Sequence, residues 1–300
     1  MATSDETTNL GWKKWVLGAR PRTLPAAVVP VLVGTACAHA STNPIWWRMG
    51  LASIVSLALQ VGVNYANDYS DGIKGTDNVR VGPIRLVGSG VASPKSVKRA
   101  ALLMFLIASI AGLFLAMLTS LWLVAVGLAA IISAWTYTGG PRPYGYAGLG
   151  ELFVFVFFGL VATMGTEYVV GEQLTMTGFV SSLAVGCFAC SLLVINNLRD
   201  IPGDTVAGKR TLAVKIGDSA TRRLFASLAI LSALAIGVTS LTSGVFAIAG
   251  LVGVVALRPA LNDVARGAKG RDLIPVLGAV GRAQLIMGVS FSVGLYFALV

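Results

Sequence analysis

Stretches of about 20 apolar residues recur along the whole chain, and this pattern limits the folds that are open to it. A helix needs roughly 20 apolar residues to cross the hydrocarbon core of a bilayer. Only 12% of the residues are charged, about half the share found in globular domains. We therefore predict an all-α integral membrane protein. Nine stretches reach or approach the required length: 22–41, 46–67, 97–119, 121–138, 149–170, 176–197, 221–241, 244–261 and 279–299.

The basic residues alternate between the two sides of this predicted membrane. With the N-terminus in the cytoplasm, every Lys and Arg except Arg48 falls in a cytoplasmic segment. The positive-inside rule then predicts a multi-pass protein of the cell membrane with a cytoplasmic N-terminus and an external C-terminus. It also accounts for the net charge of +10 without nucleic acid as a partner. Residues 1–300 are predicted to form one membrane-embedded domain, with 1–12 as a disordered cytoplasmic tail.

Carboxylates near membrane spans are costly and usually functional. Five of the 13 acidic residues fall in two clusters that share one sequence pattern: an Asn, an Asp four residues later, and another Asp shortly after it. The first motif, NDYSDGIKGTD at 67–77, follows the second predicted span. The second motif, NNLRDIPGD at 196–204, follows the sixth. Both motifs are expected on the cytoplasmic side, where their acids would face each other.

The spacing within each motif places oxygen ligands on one face of a helix. Asn67 and Asp71 are four residues apart, and so are Asn196 and Asp200. Asp204 adds a further turn if the helix continues. Clustered carboxylate and amide oxygens are typical of Mg²⁺, which shares its ligand shell with substrate phosphates. The two motifs together therefore predict a magnesium site.

Two details of the motifs are less regular. Asp68 is included among the predicted metal ligands, although a helix turns it about 100° away from Asn67. The alternatives for Asp68 are an acid that supports a metal ligand without touching the metal, or a residue at the end of the helix. Pro202 and Gly203 predict that the sixth helix bends or ends inside the second motif.

Basic side chains accompany the acids, and metal together with Lys and Arg is the usual way to hold a departing diphosphate. Arg85 is one of these basic residues, and the alternative to a diphosphate ligand at this position is a surface charge that sets topology. A diphosphate site at the mouth of an apolar bundle suggests a lipid diphosphate, whose metal-assisted departure from an allylic carbon leaves a carbocation. The predicted diphosphate ligands are Lys74, Arg85, Arg199, Lys209 and Arg210.

The two motifs resemble those of the UbiA superfamily of intramembrane prenyltransferases. Further passages carry the likeness: ARPRTLP at 19–25, YTGGP at 137–141, GLGE at 148–151 and GKRTLA at 208–213. The KGxD ending of the first motif and the YTGGP loop are most similar to the branch that prenylates 1,4-dihydroxy-2-naphthoate in menaquinone biosynthesis. One departure from the commonest pattern is Gly75, four residues after Asp71, because the acid stands at Asp77 instead.

The resemblance implies nine helices in a ring around a central cavity that is capped by loops 2–3 and 6–7. It implies an Mg²⁺-dependent transfer of a chain from a polyprenyl diphosphate, in which Lys74 and Lys209 neutralise the diphosphate. In the naphthoate branch the chain replaces the acceptor carboxylate with loss of CO₂, giving demethylmenaquinone. The implied magnesium and diphosphate set is Asn67, Asp71, Asp77, Asn196, Asp200 and Asp204.

The acceptor site is less well defined by the sequence. Asp71, Asp200 and Lys209 are predicted as catalytic residues, together with Glu151, which either orients a hydroxyl or acts as a base. The alternative for Glu151 is charge compensation at a helix N-terminus. The predicted acceptor ligands are Arg22, Thr23, Gln60, Asn64 and Tyr137.

Two alternatives remain at this point. One is a prenyltransferase with another aromatic acceptor, such as hydroxybenzoate, homogentisate or a tetrapyrrole. The other, from a different class, is a multi-spanning transporter that uses the acids as an ion path. Transporters usually hold such groups at the bilayer midplane on broken helices, whereas these acids cluster at one face.

Overall fold

A computed structural model describes residues 11–39, 43–76 and 85–298, and within these ranges the regular structure is entirely helical. Helices satisfy every backbone polar group internally, which lipid requires. The described helices are α1 (Lys13–Ala19), α2 (Pro25–Ala38), α3 (Arg48–Lys74), α4 (Pro94–Leu118), α5 (Trp122–Thr136), α6 (Gly150–Val154), α7 (Ala162–Gly171), α8 (Met176–Val206), α9 (Leu212–Ser243), α10 (Leu251–Ala256), α11 (Arg258–Ala265) and α12 (Leu273–Ala298). The predicted tail lies outside these ranges, apart from its last two residues.

The predicted all-helical, multi-spanning chain is confirmed. Seven helices of the described chain are long and apolar enough to cross a membrane, counting Gly150–Gly171, Val245–Ala265 and Gly270–Ala298 as single units. The first predicted span corresponds to a pair of helices, Lys13–Thr23 and Pro25–Ala38, which bend by 54° relative to each other. The fourth corresponds to α5, a shorter apolar helix. The count of nine spans includes both of these segments.

Helix α8 forms the centre of the core, packing against α2, α9 and α12. Its buried residues include Phe188 and Ile195, which join one apolar cluster with Phe225 of α9 and Phe291 of α12. The outer helices instead expose large apolar side chains, such as Ile110 of α4. An apolar outer surface of this extent suits a lipid environment rather than water.

The span Gly150–Gly171 is interrupted by a π-helical segment, Phe155–Val161. Gly159 in this segment lies directly against Gly186 of α8, since a Cβ on Gly159 would be 2.6 Å from the Gly186 Cα. The two glycines allow the π-segment and α8 to meet backbone to backbone. One face of the π-segment is therefore fixed on the core.

Both motif helices are longer than predicted. Helix α3 runs to Lys74, so residues 67–74 of the first motif are helical. The sixth helix does not end at Pro202, because α8 continues to Val206 with Pro202 inside it. Proline lacks an N–H and removes one helical hydrogen bond, but the following turn is retained. The extension keeps Asp204 on the same helix as Asp200.

Arg48, the one basic residue predicted outside, is buried at the end of the bundle opposite the motifs. Its guanidinium donates to the carbonyls of Leu118 and Val169 at 3.2 and 3.1 Å, and to Glu172 Oε1 at 2.6 Å. It thus satisfies carbonyls at the C-terminal ends of α4 and α7, where a cation is electrostatically favoured. Arg48 stabilises the fold and takes no part in the site below.

Candidate active site

The two motifs meet at one end of a cavity of about 380 Å³ inside the bundle. Its walls come from α2, α3, α5, α8 and the span Gly150–Gly171, and are largely apolar away from the motifs. Polar and charged side chains concentrate at the motif end. The charged and amide side chains that line the cavity, together with Thr23, are Arg20, Gln60, Asn64, Asn67, Asp71, Arg85, Asn196, Asn197, Asp200, Asp204 and Lys209.

In the first motif, Asn67 and Asp71 lie one turn apart on α3 and both line the cavity. The Asn67 Oδ1 accepts a hydrogen bond of 2.8 Å from the Thr138 hydroxyl. Asp71 is buried, and its Oδ1 accepts a short hydrogen bond from the Tyr146 hydroxyl. Both partners belong to the segment between α5 and α6, so this loop fixes the orientation of the motif.

In the second motif, Asn196, Asp200 and Asp204 all line the cavity from α8. Arg199 was predicted as a diphosphate ligand, but its buried guanidinium forms hydrogen bonds with other residues of the motif. It donates to both Asp200 carboxylate oxygens at 2.7 and 2.8 Å, and to Asn196 Oδ1 at 2.8 Å. A bidentate arginine compensates the buried charge of Asp200 and orients its carboxylate.

Lys209 connects the two motifs. Its ammonium lies 3.3 Å from Asp71 Oδ2 on α3 and 4.0 Å from Asp204 Oδ1 on α8. The side chain is only 9% exposed and stands over the Tyr146 ring, 4.7 Å from its centroid. A buried ammonium between acids of two helices is the arrangement expected of a group that holds a polyanion.

Asp68 does not line the cavity, although it was predicted as a metal ligand. It is completely buried and accepts hydrogen bonds from the backbone N–H groups of Leu86 and Val87, at 3.0 and 3.2 Å. A carboxylate that receives two backbone N–H groups is a strong local anchor. Asp68 therefore holds the segment that follows Arg85, which does line the cavity. Asp77 lies outside the described residues.

Two of the predicted diphosphate ligands also lie away from the cavity. The Lys74 ammonium donates to the carbonyls of Thr138 and Gly140 at 2.7 and 3.3 Å, so it fixes the loop after α5. Arg210 is exposed, and its backbone N–H donates to the Tyr146 carbonyl at 2.9 Å. Both residues stabilise the wall of the site without facing its interior.

Three of the predicted acceptor ligands form a hydrogen-bonded group on the cavity wall. The Thr23 hydroxyl accepts from Gln60 Nε2 at 3.0 Å and from Asn64 Nδ2 at 3.1 Å. Arg22 is exposed and does not line the cavity. Its neighbour Arg20 does line it, and adopts a left-handed backbone conformation with φ of 54°.

Tyr137 lines the cavity below the motifs, and Glu151 lies behind the wall. Asn197 donates to Glu151 Oε1 at 2.9 Å, while Oε2 is buried without a hydrogen-bond partner among the described residues. Burial is the main cause that raises the pKa of the Tyr137 phenol well above its usual value, followed by the negative charge of Glu151. Tyr137 is therefore a neutral hydrogen-bond donor at physiological pH.

Sequence reasoning missed Arg20 and Tyr146 as site residues. Arg20 was counted among the topology-setting charges and in the ARPRTLP passage, but Arg22 was predicted as the acceptor ligand, because nothing local distinguishes the two arginines. Its unusual backbone is what separates the two arginines. Tyr146 was indistinguishable from the aromatic residues that gather at membrane interfaces.

The donor set fits magnesium better than a metal held by protein ligands alone. No group of three or more His, Cys, Asp or Glu within the described ranges is arranged as a ready-made metal centre. Magnesium usually binds through one or two carboxylates and completes its shell with water and substrate phosphates. Asp71, Asp200 and Asp204 on a single cavity, with two amide oxygens nearby, satisfy that requirement.

Comparison with known proteins identifies the class to which this fold and site belong. Residues 27–274 match the model of the UbiA prenyltransferase family, and the chain belongs to that family. The 1,4-dihydroxy-2-naphthoate octaprenyltransferase of Mycobacterium tuberculosis is 49% identical, over 95% of this chain and 97% of its own. The enzyme of the same name from Escherichia coli is 35% identical, over 88% and 94%.

Solved structures agree on the fold. A UbiA homolog from Aeropyrum pernix superposes with a TM-score of 0.70 at 14% identity, covering 90% of this chain and 97% of its own. A homolog from Archaeoglobus fulgidus, bound to DMAPP and Mg²⁺, gives a TM-score of 0.62 at 15% identity, covering 93% and 99%. The predicted family and the predicted enzyme class, a prenyltransferase, are confirmed.

Proposed function

We propose that the protein transfers a polyprenyl chain from an allylic polyprenyl diphosphate to 1,4-dihydroxy-2-naphthoate, giving CO₂, diphosphate and demethylmenaquinol, the reduced form of demethylmenaquinone. The observation that carries this proposal is the meeting of both Asn/Asp motifs around Lys209 at the mouth of an apolar cavity. The names of the relatives supply the acceptor and specify an octaprenyl donor. Family membership sets the transporter alternative aside.

Asp71, Asp200 and Asp204, assisted by Asn67 and Asn196, would hold Mg²⁺ with the donor diphosphate. Magnesium would neutralise the diphosphate and make it a better leaving group. Lys209 already lies between the carboxylates and stabilises the negative charge that accumulates as the carbon–oxygen bond breaks. Arg85 lines the same mouth and adds a second positive charge.

The apolar part of the cavity would take the prenyl chain. A dry wall keeps water away from the allylic cation after the diphosphate leaves, so the cation reacts with the acceptor instead of being hydrolysed. The acceptor ring carbon that bears the carboxylate forms the new carbon–carbon bond. The bond to the carboxylate then breaks, CO₂ leaves, and its electron pair restores the aromatic ring, so no external proton is needed.

The acceptor would bind between Arg20 and the hydrogen-bonded group of Thr23, Gln60 and Asn64. A guanidinium is the best partner for a carboxylate, and amide and hydroxyl groups suit the two ring hydroxyls. Tyr137 would donate to an acceptor oxygen. Glu151 would act through Asn197, whose side chain it orients from behind the cavity wall.

The topology completes the proposal. Nine spans, formed by the seven long helices, the bent first pair and α5, would surround the cavity as a ring, with loops 2–3 and 6–7 over the motifs. The distribution of Lys and Arg supports a cytoplasmic motif end, a cytoplasmic N-terminus and an external C-terminus. Both substrates would then meet at the cytoplasmic surface of the membrane.

The test is an assay of purified protein in lipid with radiolabelled polyprenyl diphosphate, 1,4-dihydroxy-2-naphthoate and Mg²⁺, with and without a chelator. We expect prenylated product and CO₂ in equal amounts, and loss of both with chelator. Asp71→Ala and Asp200→Ala should abolish product while the protein still inserts into the membrane. Product with hydroxybenzoate but not with naphthoate would keep the reaction class and reject the acceptor.

A further inference from the structure

Four aromatic side chains form a continuous row along the cavity wall: Tyr137, Tyr144, Phe153 and Phe157. The ring centroids of Tyr137 and Tyr144 are 5.4 Å apart, in an edge-to-face arrangement. Tyr144 and Phe153 are stacked at 4.0 Å, and Phe153 and Phe157 at 6.1 Å. All four residues line the cavity. We name this group the aromatic row.

The row begins at the motif end and extends into the apolar part of the cavity. Tyr137 is followed by Thr138, whose hydroxyl donates to Asn67 of the first motif at 2.8 Å. Phe157 belongs to the π-segment in the middle of its span. The row therefore leads from the motif end of the cavity into its apolar part.

The π-segment determines which phenylalanines face the cavity. Phe155 packs against α8, since a Cβ on Gly186 would lie 2.8 Å from its Cδ2, and Phe155 does not line the cavity. Phe157 and Phe158 both line it, although they are consecutive. The wider π-helical turn thus directs two neighbouring rings inward while Gly159 stays on the core. Interruptions of this kind recur at functional sites.

The stacking geometry favours contact with a neutral chain over stabilisation of a cation. A cation is attracted to the free face of an aromatic ring. The faces of Tyr144 and Phe153 that meet at 4.0 Å are closed to any ligand. The row nevertheless offers a rigid apolar surface, and one ring-to-ring step is similar in length to one isoprene unit.

We propose that the aromatic row recognises the prenyl chain of the donor unit by unit, with Phe153 in contact with the units next to the diphosphate and Phe157 with units further along. This inference rests on the proposed function, which supplies the donor class. It makes Phe153 and Phe157 specificity-determining residues for donor length. Phe155, in the same π-segment, has no such role.

The experiment measures competitive inhibition constants for dimethylallyl, geranyl, farnesyl and geranylgeranyl diphosphates against the polyprenyl donor. Wild type is compared with Phe157→Leu and Phe153→Leu, with Phe155→Leu as the matched control. Leucine preserves hydrophobicity and removes the ring. Binding is measured for every competitor, so the short diphosphates need not themselves be turned over.

For Phe157→Leu we expect unchanged inhibition by dimethylallyl diphosphate and roughly 2- to 10-fold weaker inhibition by the longer competitors, the size of one lost aromatic contact. For Phe153→Leu we expect the weaker inhibition to appear already with a shorter competitor than for Phe157→Leu. Phe155→Leu should follow wild type throughout, which controls for disturbance of the π-segment. A Phe157→Leu effect that is equal for all four lengths, or absent, overturns the proposal.

The two proposals fail in different ways. If the expected length dependence of inhibition is found with another aromatic acceptor and wild type forms no prenylated naphthoate, the aromatic row stands and the acceptor is wrong. If product forms but the effect of Phe157→Leu on the inhibition constants does not depend on competitor length, the proposed function stands and the aromatic row does not recognise the prenyl chain.

Discussion

The Lys209 ammonium lies 3.3 Å from the Asp71 carboxylate, and this ion pair joins the first motif to the segment that follows the second motif. Asp71 belongs to α3 and Lys209 precedes α9, so the contact closes the mouth of the cavity from two sides. Lys209 is also within 4.0 Å of Asp204. The site is therefore preorganised for a diphosphate by a cation that two carboxylates already hold in place.

Replacement of this cation should damage the chemical step. We expect Lys209→Met to lower kcat by roughly 100-fold, the usual cost of one preorganised donor at a developing anion. Lys209→Arg keeps the charge and should retain part of the rate. The control is Arg210→Gln, the exposed neighbour, which should match wild type. Steady-state kinetics with varied polyprenyl diphosphate checks this, and full activity of Lys209→Met would contradict the assignment.

Tyr146 contacts both members of the same ion pair. Its hydroxyl donates to Asp71, and its ring lies 4.7 Å from the Lys209 ammonium and 5.1 Å from that of Lys74. Tyr146→Phe keeps both cation–π contacts and loses one charge-assisted hydrogen bond, so we expect kcat to fall by roughly 10-fold. Tyr146→Leu loses the ring as well and should fall further.

The Mg²⁺ dependence separates this role from general packing. If Tyr146 orients Asp71, Tyr146→Phe should require more Mg²⁺ for half-maximal activity while its thermal unfolding temperature stays close to that of wild type. An unchanged Mg²⁺ requirement, or a lowered unfolding temperature that accounts for the lost rate, would show that the phenol serves only to pack the loop.

The helices, and the common face of the motif residues within each helix, were predictable because their sequence signals are local. Apolar length defines a span, and a spacing of four residues places Asn67 beside Asp71 whatever surrounds them. The extension of α8 past Pro202 was not predictable in this way. Proline removes one hydrogen bond but does not forbid a helix whose neighbouring turns are packed, and the packing is a property of the whole bundle.

The contacts of several predicted site residues depend on the folded structure and could not be derived from the spacing of the motifs. Asp68 looked like a ligand because it stands in the motif, yet its partners are the backbone N–H groups of residues 86 and 87. Arg199 was predicted as a diphosphate ligand, and in the structure its guanidinium donates to Asp200, the next residue on the same helix. The inward position of Phe157 follows from a π-helical register that no periodicity rule specifies.

The position of Asp68 leads to a stability prediction. Asp68→Ala leaves two backbone N–H groups without their acceptor, at a cost of about 1–3 kcal/mol for each unsatisfied buried group. We expect a lower thermal unfolding temperature in detergent and faster proteolysis near residues 85–92. Asp68→Asn retains one acceptor oxygen and should be intermediate. Loss of activity in Asp68→Asn without loss of stability would instead indicate that Asp68 binds metal directly.

Arg20 gives the sharpest test of the acceptor site, because its backbone allows a clean substitution. Its φ of 54° is a conformation that glycine and asparagine tolerate. Arg20→Gly therefore removes the guanidinium without adding strain. Loss of a charge-assisted contact to the acceptor carboxylate should raise the KM for 1,4-dihydroxy-2-naphthoate by roughly 10-fold or more.

The same variant should leave the KM for the polyprenyl diphosphate close to that of wild type, since the donor is held by the motifs and Lys209. Arg22→Gln is the control, because Arg22 is exposed and lies away from the cavity. An equal rise in both KM values for Arg20→Gly would indicate a general disturbance of the cavity mouth. If Arg22→Gln alone raised the KM for the acceptor, Arg22 would be the acceptor ligand, as the sequence predicted, and Arg20 would not.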